Sequence, residues 1–198
     1  MNYYIDFDNT LYNTPVLADR MLKSIVDNAR IQKNIEIFEE CKSKFNNDIY
    51  DLAKYFSDKY SLDLQTMIKN LNDTILNSSD LVFEDSIPFL QKLKNANHNI
   101  FLLSFSKDTI KYQTSKILGS GLIDFFDAIY ITSKPKYELD IKYENGIFID
   151  DNPKDLLGLY SKSAQKVIRL RRKENKYSVQ DINNTEIEEY INFNEIDL

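Results

Sequence analysis

The chain has one cysteine, Cys41, and one histidine, His98. A single cysteine excludes an intrachain disulfide and suits a reducing compartment. A single histidine excludes a Ser-His-Asp triad and a histidine-rich zinc site, and His98, in a polar turn, is expected to be exposed and idle. Glycine and proline are scarce, at four each. Asparagine stands where glycine might turn the chain, as between Asn95 and Asn99, because Asn tolerates left-handed backbone. No stretch approaches the ~18 uninterrupted apolar residues of a membrane span. The first residues lack the basic and long apolar regions of a secretory leader. The expectation is a cytoplasmic protein that does not enter a membrane. Positive charge is in deficit, 25 Lys and Arg against 31 Asp and Glu, a net charge of −6. Such a chain is repelled by phosphate backbones, so nucleic acid is excluded as a partner. The one basic cluster, Arg169, Arg171, Arg172 and Lys173, reads as the solvated end of a strand.

What is present is a globular chain of 198 residues. At ~150 residues per domain this allows one domain, or one domain with a sizeable insertion, and roughly 70% of the unfolded surface can be buried. Residues 3–7 read as a short buried strand ending in acidic residues. Thr14-Pro15 then starts a helix. From there to about Asp80 the text is helical. Leu17, Met21, Leu22, Ile25, Val26 and Ala29 mark a first helix, and Ile35, Phe38, Cys41 and Phe45 a second. Ile49, Leu52, Ala53 and Phe56 mark a third. A fourth, capped by Ser61, carries Leu64, Met67, Ile68, Leu71 and Ile75.

After this block the text changes. Helices are expected over Ser86 to Asn95, Lys107 to Leu118 (closed by Gly119) and Pro153 to Ser161. Between them come the apolar runs 99–104, 128–132, 146–150 and 166–170. Continuous apolar runs separated by helices mark a parallel sheet covered on both faces. A weak acidic helix is expected near Glu186 to Tyr190.

In an open parallel sheet, ligands bind beyond the carboxyl ends of the strands. The first strand ends in Asp6-Phe7-Asp8-Asn9-Thr10, the second in Ser104, and the fourth in Asp150-Asp151, while Lys134 follows the third. Carboxylates brought this close repel one another, and a divalent, oxygen-binding cation relieves the repulsion. With a lysine and a hydroxyl beside them, they suit a phosphoryl group. An EF-hand loop is excluded, because Leu11 stands where glycine is needed and Leu17 where glutamate is needed.

The ordered set Asp6-x-Asp8-x-Thr10-Leu11, Ser104, Lys134 and Asp150-Asp151 resembles the four motifs of the haloacid dehalogenase superfamily, over residues 3 to about 170. The helical block after the first motif is similar to that family's C1 cap. The resemblance implies a Rossmann-like α/β core of residues 1–13 and 81–198, with an inserted all-helical cap of residues 14–80. It implies a Mg²⁺-dependent phosphatase of small phosphate monoesters. Asp6 would be the nucleophile that forms an aspartyl-phosphate, and Asp8 the acid and then the base, its backbone carbonyl also binding Mg²⁺. Thr10 would hold the loop, and with Ser104, Ser106 and Lys134 would contact phosphate. The metal set would be Asp6, Asp8, Asp150 and Asp151, with Asp155 beside it. Lys134 is preferred to Lys136 because it stands in the usual Lys-Pro pair. Asp8 argues for phosphate esters, since carbon–halogen members lack that aspartate. Asn9 stands where many members have glycine.

A lid of this kind favours a small phosphorylated metabolite or nucleotide, with specificity set between Tyr12 and Asp80. The alternatives are a phosphosugar mutase of the same superfamily and a phospho-accepting or binding module without turnover. A phospho-receiver keeps its acidic pair near the first strand, whereas this pair closes the fourth.

Overall fold

The computed structural model describes residues 1–28, 49–106, 110–140, 146–162, 166–173 and 175–197. Six strands, β1 (Asn2–Ile5), β2 (Asn99–Phe105), β3 (Ala128–Thr132), β4 (Gly146–Asp150), β5 (Lys166–Leu170) and β6 (Glu188–Tyr190), form one sheet in the order β3-β2-β1-β4-β5-β6. Every neighbouring pair is parallel. The expected α/β parallel core is therefore present, and its strand order reverses at β1, where such sheets bind ligands.

Six α-helices are described: α1 (Thr14–Asn28), α2 (Ile49–Tyr60), α3 (Leu64–Leu76), α4 (Ser86–Asn95), α5 (Ile110–Ser120) and α6 (Pro153–Tyr160). Every α-helix or strand described between β1 and α4 is helical. The second expected helix, with Ile35, Phe38, Cys41 and Phe45, lies outside the described residues, as do Ala29 and Lys107. No described helix is long and apolar enough to cross a membrane.

Alternating side chains feed two cores, as the period of two in a strand requires. Ile5, Ile100, Leu102, Ile147, Ile149, Ile168 and Leu170 face a large core. That core continues without a break into Leu17, Met21, Leu52, Phe56, Met67 and Ile75 of the inserted helices. Tyr4, Leu103, Phe148 and Val167 face a smaller one under Leu156 and Leu159 of α6. With both faces covered, the strands can be apolar throughout.

Several expectations shift. α3 is capped by Asp63, whose carboxylate accepts from Thr66 N at 2.9 Å, and not by Ser61, which is left-handed at φ 53°. α5 runs through Gly119 instead of stopping before it; the left-handed residue that ends it is Gly121, φ 73°. The expected acidic helix near Glu186 is strand β6. Opposite charges face across the β5–β6 pair, Lys166 on Glu188 at 2.8 Å and Arg169 on Glu189 at 3.2 Å, and such pairs stabilise an edge strand.

The basic cluster is not a solvated strand end. Arg169 is fully buried, and Arg172 is buried as well. Arg169 donates to Tyr177 O at 2.6 Å and Arg171 to Ser178 O at 2.5 Å, so the cluster binds down the segment that follows β5. His98 is half-buried instead of exposed, its ring 5.2 Å from that of Tyr3.

Candidate active site

Register brings the acidic residues together. Ile5 pairs with Leu102 on one side and Ile149 on the other, so Asp6 and Asp150, each one residue further on, stand level. Asp6 N donates to Ile149 O at 2.9 Å and ties the two strand ends. A tight loop follows, closed by Leu11 N and Tyr12 N on Phe7 O, each at 3.1 Å. It needs a left-handed residue at Asn9, φ 62°, a conformation Asn adopts more readily than most residues.

Asp6, Asp150 and Asp151 are buried, and each offers an oxygen within 4.8 Å of the others. Lys136 lies among them, its Nζ 2.5 Å from Asp6 Oδ1 and 2.6 Å from Asp150 Oδ2. Burial, opposed by Lys136 and reinforced by Asp150 and Asp8, pushes the Asp6 carboxyl up to about 8. Burial and the neighbouring Asp6 and Asp150 also raise Asp151, against the pull of Lys136 and Asn175. For Lys136, burial would favour losing the proton, but Asp150, Asp6 and Asp155 outweigh it and the ammonium persists. Three mutually repelling buried carboxylates with one ammonium make a donor set of oxygens only, which fits Mg²⁺.

The lysine that lies among the carboxylates is Lys136 and not Lys134. Lys134 has an exposed side chain, and its backbone is engaged with Thr132 at 3.0 Å. Pro135 opens a short turn over Lys136–Glu138 that sends Lys136 inward, where its N donates to Asp155 Oδ1 at 3.2 Å. Asp155 also accepts from Asn152 Nδ2 at 2.8 Å. Asp155 thus supports the lysine's turn and lies outside the three-carboxylate cluster. Asp8 also contributes no carboxylate to that cluster.

Asp8 is instead grasped by three donors. Lys116 Nζ lies 2.5 Å from Oδ1, Thr14 Oγ1 donates to the same oxygen, and Gln113 Nε2 lies 2.7 Å from Oδ2. Burial alone would raise this carboxyl, but Lys116 and the hydrogen bonds from Lys116, Thr14 and Gln113 hold it below the usual range. Gln113 Nε2 also donates to Ser104 Oγ at 2.7 Å. The expected residue Thr10 is buried. Its carbonyl accepts from Arg172 at 3.1 and 3.3 Å, while its hydroxyl has no partner among the described residues.

A cavity of about 500 Å³ opens here. Asp8, Ser106, Tyr112, Gln113, Lys116 and Asp155 line it, and Thr14 and Ala18 are the described contributions of the inserted helices. The segment after β5 adds Lys176 and Tyr177. Next to them Asn175, buried, donates to Asp151 Oδ2. Gln113, Lys116 and Asn175 carry no sequence signal of their own. The available hint was a glutamine and a lysine three residues apart, flanked by Tyr112 and Ile117 on the apolar side of a helix.

A model of haloacid dehalogenase-like hydrolases matches residues 4–167. No match was found among curated protein sequences. Solved structures share the fold. The HAD-hydrolase YfnB from Bacillus subtilis, bound to magnesium, is 13% identical over 98% of this chain and 95% of that one, with a TM-score of 0.66. A Thermotoga maritima protein assigned as a beta-phosphoglucomutase is 11% identical over 98% and 95%, with a TM-score of 0.65. L-2-haloacid dehalogenase from Xanthobacter autotrophicus is 18% identical over 89% and 79%, with a TM-score of 0.54.

Proposed function

The chain belongs to the haloacid dehalogenase-like hydrolase family, and from that premise we propose that it is a Mg²⁺-dependent phosphatase of small phosphate monoesters. The observation that carries this reading is the buried set Asp6, Asp150 and Asp151 around Lys136, with Asp8 two residues from Asp6 at the cavity. Dehalogenase chemistry is the less apt use of such a site. A halide leaves as a weak base and needs no proton, whereas an alkoxide does, and Asp8 is placed to supply one.

Asp6 rests protonated and Asp8 ionised, so the proton on Asp6 first passes to Asp8 as the substrate binds. In the first half-reaction Asp6 Oδ then bonds to phosphorus as the P–O bond to the alcohol breaks, and the proton moves from Asp8 to the leaving oxygen. In the second, water bonds to phosphorus as the Asp6–phosphoryl bond breaks, and the water's proton moves to Asp8. The products are alcohol and phosphate, and the enzyme is regenerated. Asp6, Asp150, Asp151 and the Asp8 carbonyl would hold Mg²⁺, whose chemistry is to neutralise charge on the phosphoryl oxygens. Lys136 keeps Asp6 oriented, and Ser104 and Ser106 supply hydroxyls to the phosphoryl oxygens. The inserted helices act as a cap, selecting a small phosphorylated metabolite or nucleotide.

The test is p-nitrophenyl phosphate hydrolysis with Mg²⁺ or EDTA, in wild type and Asp6→Asn. Turnover is expected only in the wild type with Mg²⁺. Activity that survives Asp6→Asn overturns the mechanism. With a phosphorylated sugar as substrate, a phosphorylated isomer in place of free phosphate would reassign the site to a mutase.

A further inference from the structure

We propose that Gln113 and Lys116 are positioning residues of this reaction, acting through Asp8 and Ser104 without touching the phosphoryl group; the inference rests on the phosphatase reading. A carboxylate offers about four acceptor sites, two on each oxygen. On Asp8, Lys116 at 2.5 Å and Thr14 take both sites of Oδ1, and Gln113 at 2.7 Å takes one on Oδ2. Among the described residues, the free site lies on Oδ2. Proton exchange with the leaving oxygen and then with water is thereby directed through one oxygen of known orientation.

Gln113 also sets Ser104. Its Nε2 donates to Ser104 Oγ at 2.7 Å, which makes that oxygen an acceptor and turns the hydroxyl proton away from Gln113. One amide thus fixes two groups from different strand ends, Asp8 beyond β1 and Ser104 on β2. Gln113 and Lys116 lie three apart on α5, on one face, and both are buried. Lys116 is further fixed with its ammonium 5.0 Å from the Tyr112 ring centroid. A fully buried lysine and glutamine on an amphipathic helix are costly without partners, and here Asp8 and Ser104 are the partners. Residues of this kind matter through small displacements, since a shift of about 1 Å at a reacting group can cost on the order of 100-fold in rate.

The experiment compares wild type, Gln113→Met, Lys116→Met and Lys116→Arg. Each is assayed for kcat and KM on p-nitrophenyl phosphate and for Mg²⁺-dependent binding of beryllium trifluoride at Asp6, read by fluorine NMR. The two Met variants are expected to lose about 10- to 100-fold in kcat with KM within about threefold. Lys116→Met, which acts through Asp8 alone, is expected to bind beryllium trifluoride as the wild type does, and Gln113→Met, which also loses its hold on Ser104, to bind it more weakly. Lys116→Arg is expected to recover much of the loss. A merely structural role of Lys116 would instead weaken beryllium trifluoride binding and kcat together in Lys116→Met, and that result overturns the proposal. Should Lys116→Met fail to fold, Lys116→Gln carries the same comparison. Active wild type with equally active Met variants overturns the positioning role alone. Wild type with neither turnover nor beryllium trifluoride binding overturns the phosphatase reading and this inference with it.

Discussion

Lys136 Nζ lies 2.5 Å from Asp6 Oδ1, and the same ammonium reaches Asp150 at 2.6 Å, so one buried cation serves two carboxylates from adjacent strand ends. Removing it leaves both carboxylates without their ammonium and frees Asp6 to turn away from phosphorus. Lys136→Met is expected to lower kcat on the order of 100- to 1000-fold. Lys134→Met, at an exposed side chain, is expected to stay within about twofold. Parallel kinetics on the two variants check this; equal losses would show that the Lys-Pro lysine reaches the site after all.

The raised Asp6 carboxyl sets a pH dependence. It holds its proton up to about pH 8 in the fold, against about 4 in an unfolded chain. Between those values the folded form binds a proton that the unfolded form does not, so stability falls as pH rises through the window. It is fully present below about pH 4 and lost by about pH 8. A bound divalent cation must displace that proton, so its stabilisation grows with pH. EDTA-treated protein should therefore show a falling Tm from pH 5 to 8, and Mg²⁺ should raise Tm more at pH 8 than at pH 5. Asp6→Asn should flatten the slope. A slope that is the same in the variant would show that other groups carry it.

The parallel core was legible because buried strands are continuous apolar runs. β3, β4 and β5 begin and end where those runs do, and Asp6, Ser104 and Asp150 fall at strand ends because register follows from such runs. The errors have specific causes. β6 is three residues with two glutamates, and only its partners on β5, Lys166 and Arg169, make it a strand. Lys134 and Lys136 differ by the direction of one turn at Pro135, which local text does not specify. Arg169 and Arg172 looked solvated because arginine usually is; their burial depends on carbonyls and carboxylates that only the fold brings near. Gln113, Lys116 and Asn175 belong to the same class.

Arg172 offers a direct measure of that effect. It donates to both Asp85 oxygens, at 2.7 and 2.9 Å, and to Thr10 O, with its guanidinium 4.1 Å from the Phe83 ring centroid. Asp85 also accepts from Phe193 N at 2.6 Å. Arg172→Met strands a buried carboxylate and should cost about 3–5 kcal/mol. Arg172→Lys keeps the charge but loses the two-pronged contact, and should cost about 1–3 kcal/mol. Urea denaturation measures both. Because Thr10 follows the Asp8-Asn9 turn, kcat should fall in both variants as well. A change below about 0.5 kcal/mol in Arg172→Met would place this pair at the solvated surface.

Two nearby glycines separate crowding from backbone strain. Gly119 lies inside α5, where an added Cβ would stand 2.1 Å from Ile75 O and 2.9 Å from Leu76 Cα, both backbone atoms of α3. Alanine gains about 1 kcal/mol of helix propensity there, but neither backbone can yield without moving a helix, and overpacking costs about 1–3 kcal/mol or more. The clash should win, so Gly119→Ala is expected to lower Tm. Gly121 has open space around it and φ 73°, so Gly121→Ala should cost only the left-handed penalty of about 1 kcal/mol. The consequence for activity differs too. α5 carries Gln113 and Lys116 against Asp8, so pushing it off α3 should lower kcat in Gly119→Ala. Gly121 lies past the end of that helix, and Gly121→Ala should turn over as the wild type does. Thermal unfolding together with steady-state kinetics resolves the pair. A Gly119→Ala protein with wild-type Tm and kcat would show that α3 and α5 do not touch at this point.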